Sequence, residues 1–223
     1  MSILAMRFSG PLQAWGSRSR FTERDTEMEP TRSGVIGLLC AALGRPRDAS
    51  LEEFHGLRMA VRVDRAGTVI RDFHTALDVR RAGGGRTGEQ AVISNRYYLA
   101  DAIFLVLLEG DRLTLQGFDD ALANPVWPLF LGRKSCPPGE PVRLEQGPLD
   151  EAMDHVLNSY PLLDTVRRNT EEVLRCVVEA PDGEETRRDV PLSFEPTDRR
   201  YGVRRVKTLW VPAVRAVALG EEP

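Results

Sequence analysis

The sequence predicts an α+β fold with a ferredoxin-like (RRM-like) sheet, and three observations support this. Over about the first 140 residues, apolar patterns follow one another as strand, helix, two paired strands, helix and strand, which is the split βαβ order. A glycine-rich segment at residues 76–95 interrupts this order and has almost no apolar periodicity, so it predicts a flexible excursion or a long hairpin. One helix and three possible strands after residue 149 predict a β-rich C-terminal extension. We therefore expect one main domain formed by residues 1–75 and 96–223, with residues 76–95 inserted in it.

Composition indicates a globular protein and argues against several functions. A chain of 223 residues, 42% of them hydrophobic, can bury a core without disulfide bonds. Its longest apolar run, residues 102–108, is far shorter than the roughly 20 residues of a membrane span, so we expect a soluble, cytoplasmic protein with no membrane partner. The three cysteines are widely spaced and form no C-x-x-C pair. We therefore expect neither a metal nor a cofactor.

Charge is unevenly distributed along the chain. The net charge of −3 argues against binding nucleic acid over the whole surface. Residues 199–207, however, carry five basic side chains and no acidic one. All basic residues except Lys134 and Lys207 are arginine. Arginine suits phosphates and stacks on bases, but a GC-rich genome would produce the same excess, so the excess alone does not indicate RNA binding.

The first strand and the first helix have clear patterns. Residues 3–8 alternate, with Leu4, Met6 and Phe8 on one face and Ile3, Ala5 and Arg7 on the other, which is typical of a strand in a sheet with two unlike faces. Pro30-Thr31 predicts the entry and N-cap of a helix that ends at Gly44. Each of Gly34 and Gly37 costs up to about 1 kcal/mol relative to alanine inside a helix. We therefore expect another backbone to approach the helix closely at these positions.

The middle of the chain predicts a short helix, paired strands and a central strand. Residues 51–57 are helical in pattern, and residues 58–64 alternate strictly. A turn leads from them into a second strand at residues 68–74. After the glycine-rich excursion, the unbroken apolar run of residues 98–108 predicts one strand that is buried on both faces at the sheet centre.

The second main helix and the C-terminal third complete the predicted fold. Residues 114–124 carry an apolar stripe and end at Asn124-Pro125, and a strand-loop segment at residues 126–136 follows. The C-terminal third predicts a helix around Met153, Val156 and Leu157 and strands near residues 173–179, 190–194 and 207–214. Since both main helices cover one sheet face, the other face is expected to be free, and RNA-recognition modules bind their ligand on that face.

The start of the first helix is a candidate anion site. In Pro30-Thr31-Arg32-Ser33-Gly34, unpaired backbone N–H groups, the helix dipole, a guanidinium and two hydroxyls converge, and together they could hold a phosphate. The alternative is an ordinary N-cap by Thr31 or Ser33, with Arg32 in solvent.

Two loops carry further candidate contacts. The loop at residues 10–16 offers Gln13 as a hydrogen-bonding amide and Trp15 as a stacking surface, with a packing role for Trp15 as the alternative. It is not a P-loop, because no lysine follows its second glycine. Residues 131–138 place Arg133 and Lys134 between turn residues, and a solvated turn is the alternative.

His74 is the histidine whose setting most suggests a site. A metal-independent ribonuclease needs a general base and a general acid near the 2′-hydroxyl. Tyr97, Tyr98 or Lys134 could supply the second group only if the fold brings one of them to His74. The alternative is a structural histidine, and no G-x-S-x-G or H-E-x-x-H motif points to other chemistry.

Five sequence blocks support a family resemblance when they are taken together. In chain order they are SGPLQAWG at residues 9–16, PTRSGVIGLL at 30–39, RDFHT at 71–75, RYYLADA at 96–102 and PLFLGRKSCP at 128–137. In this order and in a chain of this length, they resemble the fifth-family Cas (RAMP) subunit of the type I-E CRISPR surveillance complex, Cascade. The resemblance covers residues 3 to about 141 and is weak beyond them.

The resemblance implies an RNA-binding subunit with a ferredoxin-like palm and a thumb hairpin, which residues 76–95 would form. Such a subunit would grip the 5′ handle of the CRISPR RNA and cap one end of the filament of backbone RAMP subunits. It would also contact the large subunit of Cascade, and it would have no small-molecule substrate. In the thumb, the residues implied to meet RNA or the adjacent subunit are Arg80, Arg81 and Arg86. Arg96, with Tyr97 beside it, would meet a kinked nucleotide of the handle.

The resemblance also bears on catalysis. Related type I-C members cut precursor RNA themselves, whereas type I-E leaves cutting to a separate subunit. No lysine stands beside a histidine in this chain, which favours the non-catalytic role. The alternatives are a metal-independent endoribonuclease that processes CRISPR precursor RNA and an adaptor that binds only protein. The candidate RNA contacts are Gln13, Trp15, Arg20, Arg32, Ser33, His74, Arg80, Arg81, Arg86, Arg96, Tyr97, Arg133 and Lys134.

Overall fold

The structure is a computed structural model that describes residues 1–17, 22–80, 83–144, 147–163 and 173–214. Its strands are β1 Ser2–Ser9, β2 Leu12–Gln13, β3 Glu23–Arg24, β4 Arg58–Arg65, β5 Thr68–Ala76, β6 Val92–Ala100, β7 Ile103–Gly110, β8 Val173–Glu179, β9 Glu185–Ser193 and β10 Arg200–Pro212. Its helices are α1 Arg32–Ala42, α2 Arg112–Ala123 and α3 Met153–Ser159, with a 3-10 helix at Glu52–Phe54. Within these ranges, no helix has the length and apolar character needed to cross a bilayer.

Local chemistry sets the ends of the two main helices. The Thr31 side chain caps α1 by accepting from the Gly34 N–H, as the sequence predicts. Gly44 follows the last turn with a φ of +67°, a conformation that favours glycine. Asp111 caps α2 by accepting from the Thr114 N–H, and Asn124 ends that helix.

The larger sheet contains the ferredoxin-like core. Its six strands run antiparallel in the order β1-β7-β4-β8-β10-β9. Strands β1, β7 and β4, with α1 and α2 packed on one face, supply three strands and both helices of that unit. Beside β1, where the fourth strand belongs, the described residues form two isolated bridges, Ile3 to Leu149 and Met6 to Arg143. The predicted α+β class is therefore confirmed, with a reduced fourth strand.

The segment at residues 126–136, predicted as a strand-loop segment, is a loop throughout. The backbone N–H groups of Val126 and Trp127 donate to the carbonyls of Ala42 and Ala41 at the end of α1, at 2.9 and 3.1 Å. These bonds dock the loop on the helix. The strand part of this prediction is wrong, because the end of the helix and not a sheet edge satisfies the first two backbone N–H groups of the segment.

The C-terminal extension continues the same sheet. β8 pairs with β4, β10 pairs with β8, and β9 forms the edge. Because the strand ladder runs unbroken from β4 into the extension, the two parts share one sheet. The predicted β-rich C-terminal extension is confirmed.

A second sheet contains a long hairpin. β5 pairs with β6 over its whole length, from Thr68 opposite Ala100 to Ala76 opposite Val92, and β2 and β3 join β6. The glycine-rich residues lie between the two strands, as the prediction of a long hairpin required. The hairpin begins and ends outside residues 76–95, however, and the division into palm and thumb stays a prediction.

Two details of the strand prediction are wrong in this region. Residues 98–108 form two strands and not one, because the chain turns at Asp101, whose φ is +57°. The strand at residues 68–74 pairs with β6 and not with β4. At Gly67, with a φ of +71°, an added Cβ would lie 2.5 Å from the Ala100 carbonyl oxygen, so this close turn sends the chain out of the large sheet.

Both faces of the large sheet are covered. One face packs under α1 and α2 through residues such as Phe8, Leu39 and Phe104. The other face, with Ile3 and Leu105, packs under α3 in a second buried cluster. The expectation of a free sheet face is therefore wrong, because the amphipathic α3 closes the surface on which an RRM would bind RNA.

A fully buried ion pair between Arg62 and Asp64 holds α3 and the residues after it against the sheet. The guanidinium of Arg62, on β4, donates to both carboxylate oxygens of Asp64 at 2.7 and 3.0 Å. It also donates to the carbonyls of Leu157, Tyr160 and Pro161, just after α3, at 2.7 to 3.1 Å. Since the guanidinium satisfies three carbonyls as well as the carboxylate, its burial is compensated and the chain after α3 is held against the sheet.

Candidate nucleic-acid interface

The start of α1 holds an anion that belongs to the protein itself. The backbone N–H of Arg32 donates to Oδ2 of Asp189, on β9, at 2.8 Å. Asp189 in turn accepts two bonds from the guanidinium of Arg204, at 2.7 and 2.8 Å. A carboxylate therefore occupies the position that the sequence analysis offered to a phosphate, and the predicted anion site is wrong for an external ligand.

The side chain of Arg32 is also part of the interior. It is 3% exposed, donates to the carbonyls of Phe54 and Leu57 at 3.0 and 2.8 Å, and forms an ion pair with Glu179. These contacts tie α1 to the 3-10 helix and to β8. Arg32 is accordingly withdrawn as an RNA contact, because its charge is already compensated inside the protein.

Gln13 and Trp15 are buried as a unit. The Gln13 amide donates to the carbonyls of Ala102 and Phe8 at 2.8 and 3.2 Å, and its oxygen accepts from the Trp15 indole N–H at 3.1 Å. The Trp15 ring stacks on Phe8 with centroids 5.4 Å apart. With both side chains 0% exposed, both are withdrawn as RNA contacts, and the packing alternative for Trp15 is confirmed.

The indole also explains the glycine in the first turn of α1. A Cβ on Gly34 would lie 2.7 Å from Cε3 of Trp15. At Gly37, an added Cβ would meet the Phe194 ring at 3.9 Å. The neighbours of both glycines are aromatic rings and not the backbone that the sequence analysis expected.

Arg133 supports the second sheet. It donates to the carbonyls of Tyr97, Arg24 and Asp25 at 2.8 to 3.1 Å, and its guanidinium carbon lies 4.7 Å from the Tyr98 ring centroid. These contacts fasten β3 and β6 to the loop after residue 130. Arg133 is therefore also withdrawn as a direct RNA contact.

A groove of about 900 Å³ lies between α1, the loop at residues 127–137 and the segment at residues 194–201. None of its lining residues is acidic. The cations on its wall are Arg45, Arg47, Lys134 and Arg199. The aromatic residues on its wall, apart from Trp15 at the base, are Trp127, Phe130, Phe194 and Tyr201. Such a surface offers positive charge to phosphates and ring faces to bases.

The groove cations differ in how they are paired. Arg45 forms an ion pair with Glu53 at 2.8 Å, and both side chains are part-exposed. In the described ranges, no carboxylate lies within ion-pair distance of Arg47, Lys134 or Arg199. Their charge therefore faces the groove and the solvent uncompensated, which favours an anionic ligand.

Two smaller side chains complete the wall of this groove. Ser33, a predicted contact, lies in the wall, with its hydroxyl 3.4 Å from Oγ1 of Thr31. Cys40 also lines the groove, and burial raises the pKa of its thiol to about 11, so it presents a protonated, apolar surface at neutral pH.

Most residues of the groove wall escaped the sequence analysis. Of the predicted contacts that stay accessible, it contains Lys134 and Ser33. Arg45-Pro46-Arg47 directly follows the glycine that ends α1, and Trp127-Pro128 opens the docked loop. A cation pair after a helix stop and an exposed tryptophan in a loop were the available signals, but the sequence does not reveal that the two segments meet.

Of the remaining predicted contacts, those that the structure describes lie on the β5–β6 hairpin. His74 is half-buried opposite Ser94, and Arg96 is half-buried opposite Asp72. At the tip, Arg80 is exposed, and its backbone forms an isolated antiparallel β-bridge with that of Arg86. Arg86 also forms an exposed ion pair with Asp78 at 2.6 Å. Arg20 and Arg81 lie outside the described residues.

The hairpin register separates the residues considered for catalysis. His74 is paired with Ser94, whereas Tyr97 is paired with Arg71, three residues earlier on β5. Side chains alternate along a strand, so His74 and Tyr97 point to opposite faces of the hairpin. Tyr98 shares the face of His74 but is 6% exposed and covered by Arg133. Lys134 lies in the groove wall, so the fold brings none of the three partners considered for catalysis to His74.

Comparison with known proteins places this architecture in a family. Residues 3–207 match the family described as CRISPR-associated protein (Cas_Cas5). The CRISPR system Cascade subunit CasD of Escherichia coli (strain K12) is 34% identical over 175 residues, which cover 72% of this chain and 78% of that protein. A chain of a CRISPR RNA-guided surveillance complex matches with a TM-score of 0.80 and 33% identity, over 98% of this chain and 95% of that one. A crystal structure of a Cas protein matches with a TM-score of 0.77 and 37% identity, over 96% and 98%.

Proposed function

This chain belongs to the Cas5 family of CRISPR-associated proteins, and from that premise we propose that it is an RNA-binding subunit of a CRISPR surveillance complex of the Cascade type. In the proposed role it works in the cytoplasm and holds the 5′ handle of the CRISPR RNA. It also caps the filament of backbone RAMP subunits and contacts the large subunit. This assignment joins the family of the chain to a surface suited to single-stranded RNA.

The observation that carries the proposal is the groove beside α1. Four cations and five aromatic residues, counting Trp15 at the base, line it, and none of its lining residues is a carboxylate. Single-stranded RNA needs both kinds of side chain, because its phosphates require positive charge and its unpaired bases stack on ring faces. The 43% exposed Trp127 offers such a face at the rim.

The hairpin supports a role beside the neighbouring subunit. Val69, Phe73 and Ile93 are 45%, 61% and 46% exposed, and the strand register places them on the same face. An exposed apolar strip of this kind is typical of a protein contact. We therefore assign this face to the adjacent backbone subunit and the face with Arg96 to the RNA.

We further propose that the subunit does not cut RNA. Ribonuclease chemistry without a metal needs a proton donor and a proton acceptor within reach of one phosphate. The strand register keeps Tyr97 away from His74, and Tyr98 is covered. None of the three predicted partners is therefore placed to act with His74.

The RNA-binding role is tested by titrating the full chain into 5′-labelled single-stranded repeat RNA and following fluorescence anisotropy at several salt concentrations. Replacing both Arg47→Gln and Lys134→Gln should weaken binding about tenfold and lower the slope of log affinity against log salt by about 1.4, since each phosphate contact to a single strand contributes about 0.7. Arg112→Gln is the matched control, because Arg112 is exposed and does not line this groove. Equal affinity in the double variant and the control would contradict the assignment of the groove.

The non-catalytic role has its own test. The purified chain is incubated with labelled repeat RNA in EDTA, and the products are separated on a denaturing gel. We expect intact RNA. Scission at one phosphate that disappears in His74→Ala would instead establish the endoribonuclease alternative.

A further inference from the structure

A second groove of about 1140 Å³ adjoins the first on the side of the C-terminal extension. Thr31, Arg199 and Tyr201 line both grooves, so these residues form the ridge between them. The floor of the second groove is the β9–β10 hairpin, which lies beyond the part of the chain that carries the five sequence blocks. Because the same three residues line both grooves, the two grooves adjoin and form one continuous surface.

The acidic residues of the second groove form ion pairs within the protein. Glu29 pairs with Arg175 and Arg187, at 2.9 and 3.2 Å, and Glu185 pairs with Arg187 at 2.9 Å. Arg187 also lies 3.6 Å from Glu27. Asp189 is held by Arg204 through two hydrogen bonds. Each carboxylate in this wall has an arginine partner, but Glu27, Glu29 and Glu185 share Arg187, so pairing lowers the negative charge of the wall without cancelling it.

The arginines left over are exposed. In the described ranges, Arg188 and Arg199 have no carboxylate within ion-pair distance. Arg200 pairs only with Asp198, at 3.1 Å, and both side chains are more than half exposed, so this pair is weak. Deeper in the wall, Arg204 is 8% exposed, and its charge is compensated by Asp189 and by Glu179, which lies 3.9 Å from its Nη1. The second groove thus presents net positive charge.

We propose that the RNA strand continues from the first groove across the Tyr201–Arg199 ridge into the second, where Arg188 and Arg200 contact its phosphates. This inference rests on the proposed function, and it gives the C-terminal extension a role in binding RNA. RNA is favoured over an acidic protein segment because the surface is continuous with an acid-free aromatic groove, and Tyr201 offers a ring at the crossing.

The test compares RNA lengths. Labelled single-stranded repeat RNAs from about 4 to about 16 nucleotides, which cover the usual range of single-strand binding sites, are titrated with the full chain. The double variant Arg188→Gln, Arg200→Gln should weaken binding of the longer RNAs about tenfold and lower their salt slope by about 1.4, while the shortest RNAs change less than about twofold. Arg112→Gln again serves as the control, and melting curves verify that each variant is folded.

The outcomes separate this inference from the proposed function. If the Arg47 and Lys134 variant weakens binding while the Arg188 and Arg200 variant leaves long RNAs unchanged, the second groove is not on the RNA path and the inference is overturned. An equal loss for short and long RNAs overturns it as well, because the effect would then not depend on the crossing. If neither double variant changes affinity, the groove-based function itself fails.

Discussion

The start of α1 and the groove beside it are neighbouring arginine-rich regions, yet their arginines act in opposite ways. At the helix start, Arg32 and Arg204 are buried, and carboxylates and carbonyls of the same chain take up their charge. On the groove wall, Arg47 and Arg199 have no carboxylate within ion-pair distance in the described ranges. The comparison shows that pairing and burial, and not the presence of arginine, decide whether a cation supports the fold or is available to a ligand.

The largest effect on stability is expected from removing the buried ion pair between Arg204 and Asp189 at the start of α1. Arg204→Met would leave Asp189 buried without its guanidinium, and removing one partner of a buried pair costs about 3 to 5 kcal/mol. We expect a loss of that size in the free energy of unfolding, measured by urea denaturation. Arg112→Met removes an exposed ion pair and should change stability by less than about 1 kcal/mol.

An unchanged unfolding midpoint in Arg204→Met would show that Asp189 does not depend on Arg204. The start of α1 would then resemble the groove, and the contrast between the two regions would be lost.

A smaller loss of stability is expected from a substitution at Gly34, which lies in the first turn of α1 and also lines the groove. Gly34→Ala places a methyl group 2.7 Å from the Trp15 ring, which is fully buried and cannot move aside without disturbing Phe8. Overpacking of this kind costs about 1 to 3 kcal/mol, more than the gain of up to about 1 kcal/mol from helix propensity. We therefore expect a lower melting temperature for Gly34→Ala.

Gly117→Ala is the matched control for this change. Gly117 lies inside α2, and an added Cβ would meet nothing within 4 Å. Here only the helix propensity changes, so the variant should be more stable than the parent chain. Two shifts of the same sign would contradict the role of the Trp15 contact.

Sequence patterns predicted the features that depend on neighbouring residues. The N-cap at Thr31, the stop at Gly44 and the C-terminal strands follow from local chemistry and periodicity. Sequence patterns did not predict that the Asp189 carboxylate occupies the start of α1, because Asp189 is 157 positions from Arg32 in the chain. The covered sheet face was missed for the same reason: periodicity gives α3 an apolar face but does not say which surface it covers.

The candidate site follows the same division. Arg133 and Lys134 are adjacent in sequence, but Arg133 donates to three carbonyls while Lys134 faces the groove. Which of the two is available depends on where β3 and β6 pass, which is a property of the tertiary structure. A resemblance to a family can indicate that RNA is bound, whereas only the packing shows which cations remain to bind it.

The smallest effect concerns Arg96. Its burial alone does not show whether it supports the fold, as Arg32 does, or is available to a ligand, as Arg47 is. It is half-buried on β6, its Nε lies 3.4 Å from Oγ of Ser94, and Asp72 stands opposite it on β5. A long, weak hydrogen bond holds the guanidinium loosely, so we expect it to be available to RNA. Arg96→Ala should then weaken handle binding about fivefold, which corresponds to about 1 kcal/mol, with little change in stability. Arg96→Lys should recover only part of the loss, because lysine keeps the charge but lacks the planar face and the fork. RNA affinity is measured by anisotropy at fixed salt, and stability by urea unfolding of the same samples.

The two measurements distinguish an arginine that binds RNA from one that supports the fold. If Arg96→Ala lowers stability and leaves RNA affinity unchanged, Arg96 belongs with the interior arginines of the helix start, and the hairpin meets its partners through its apolar face alone.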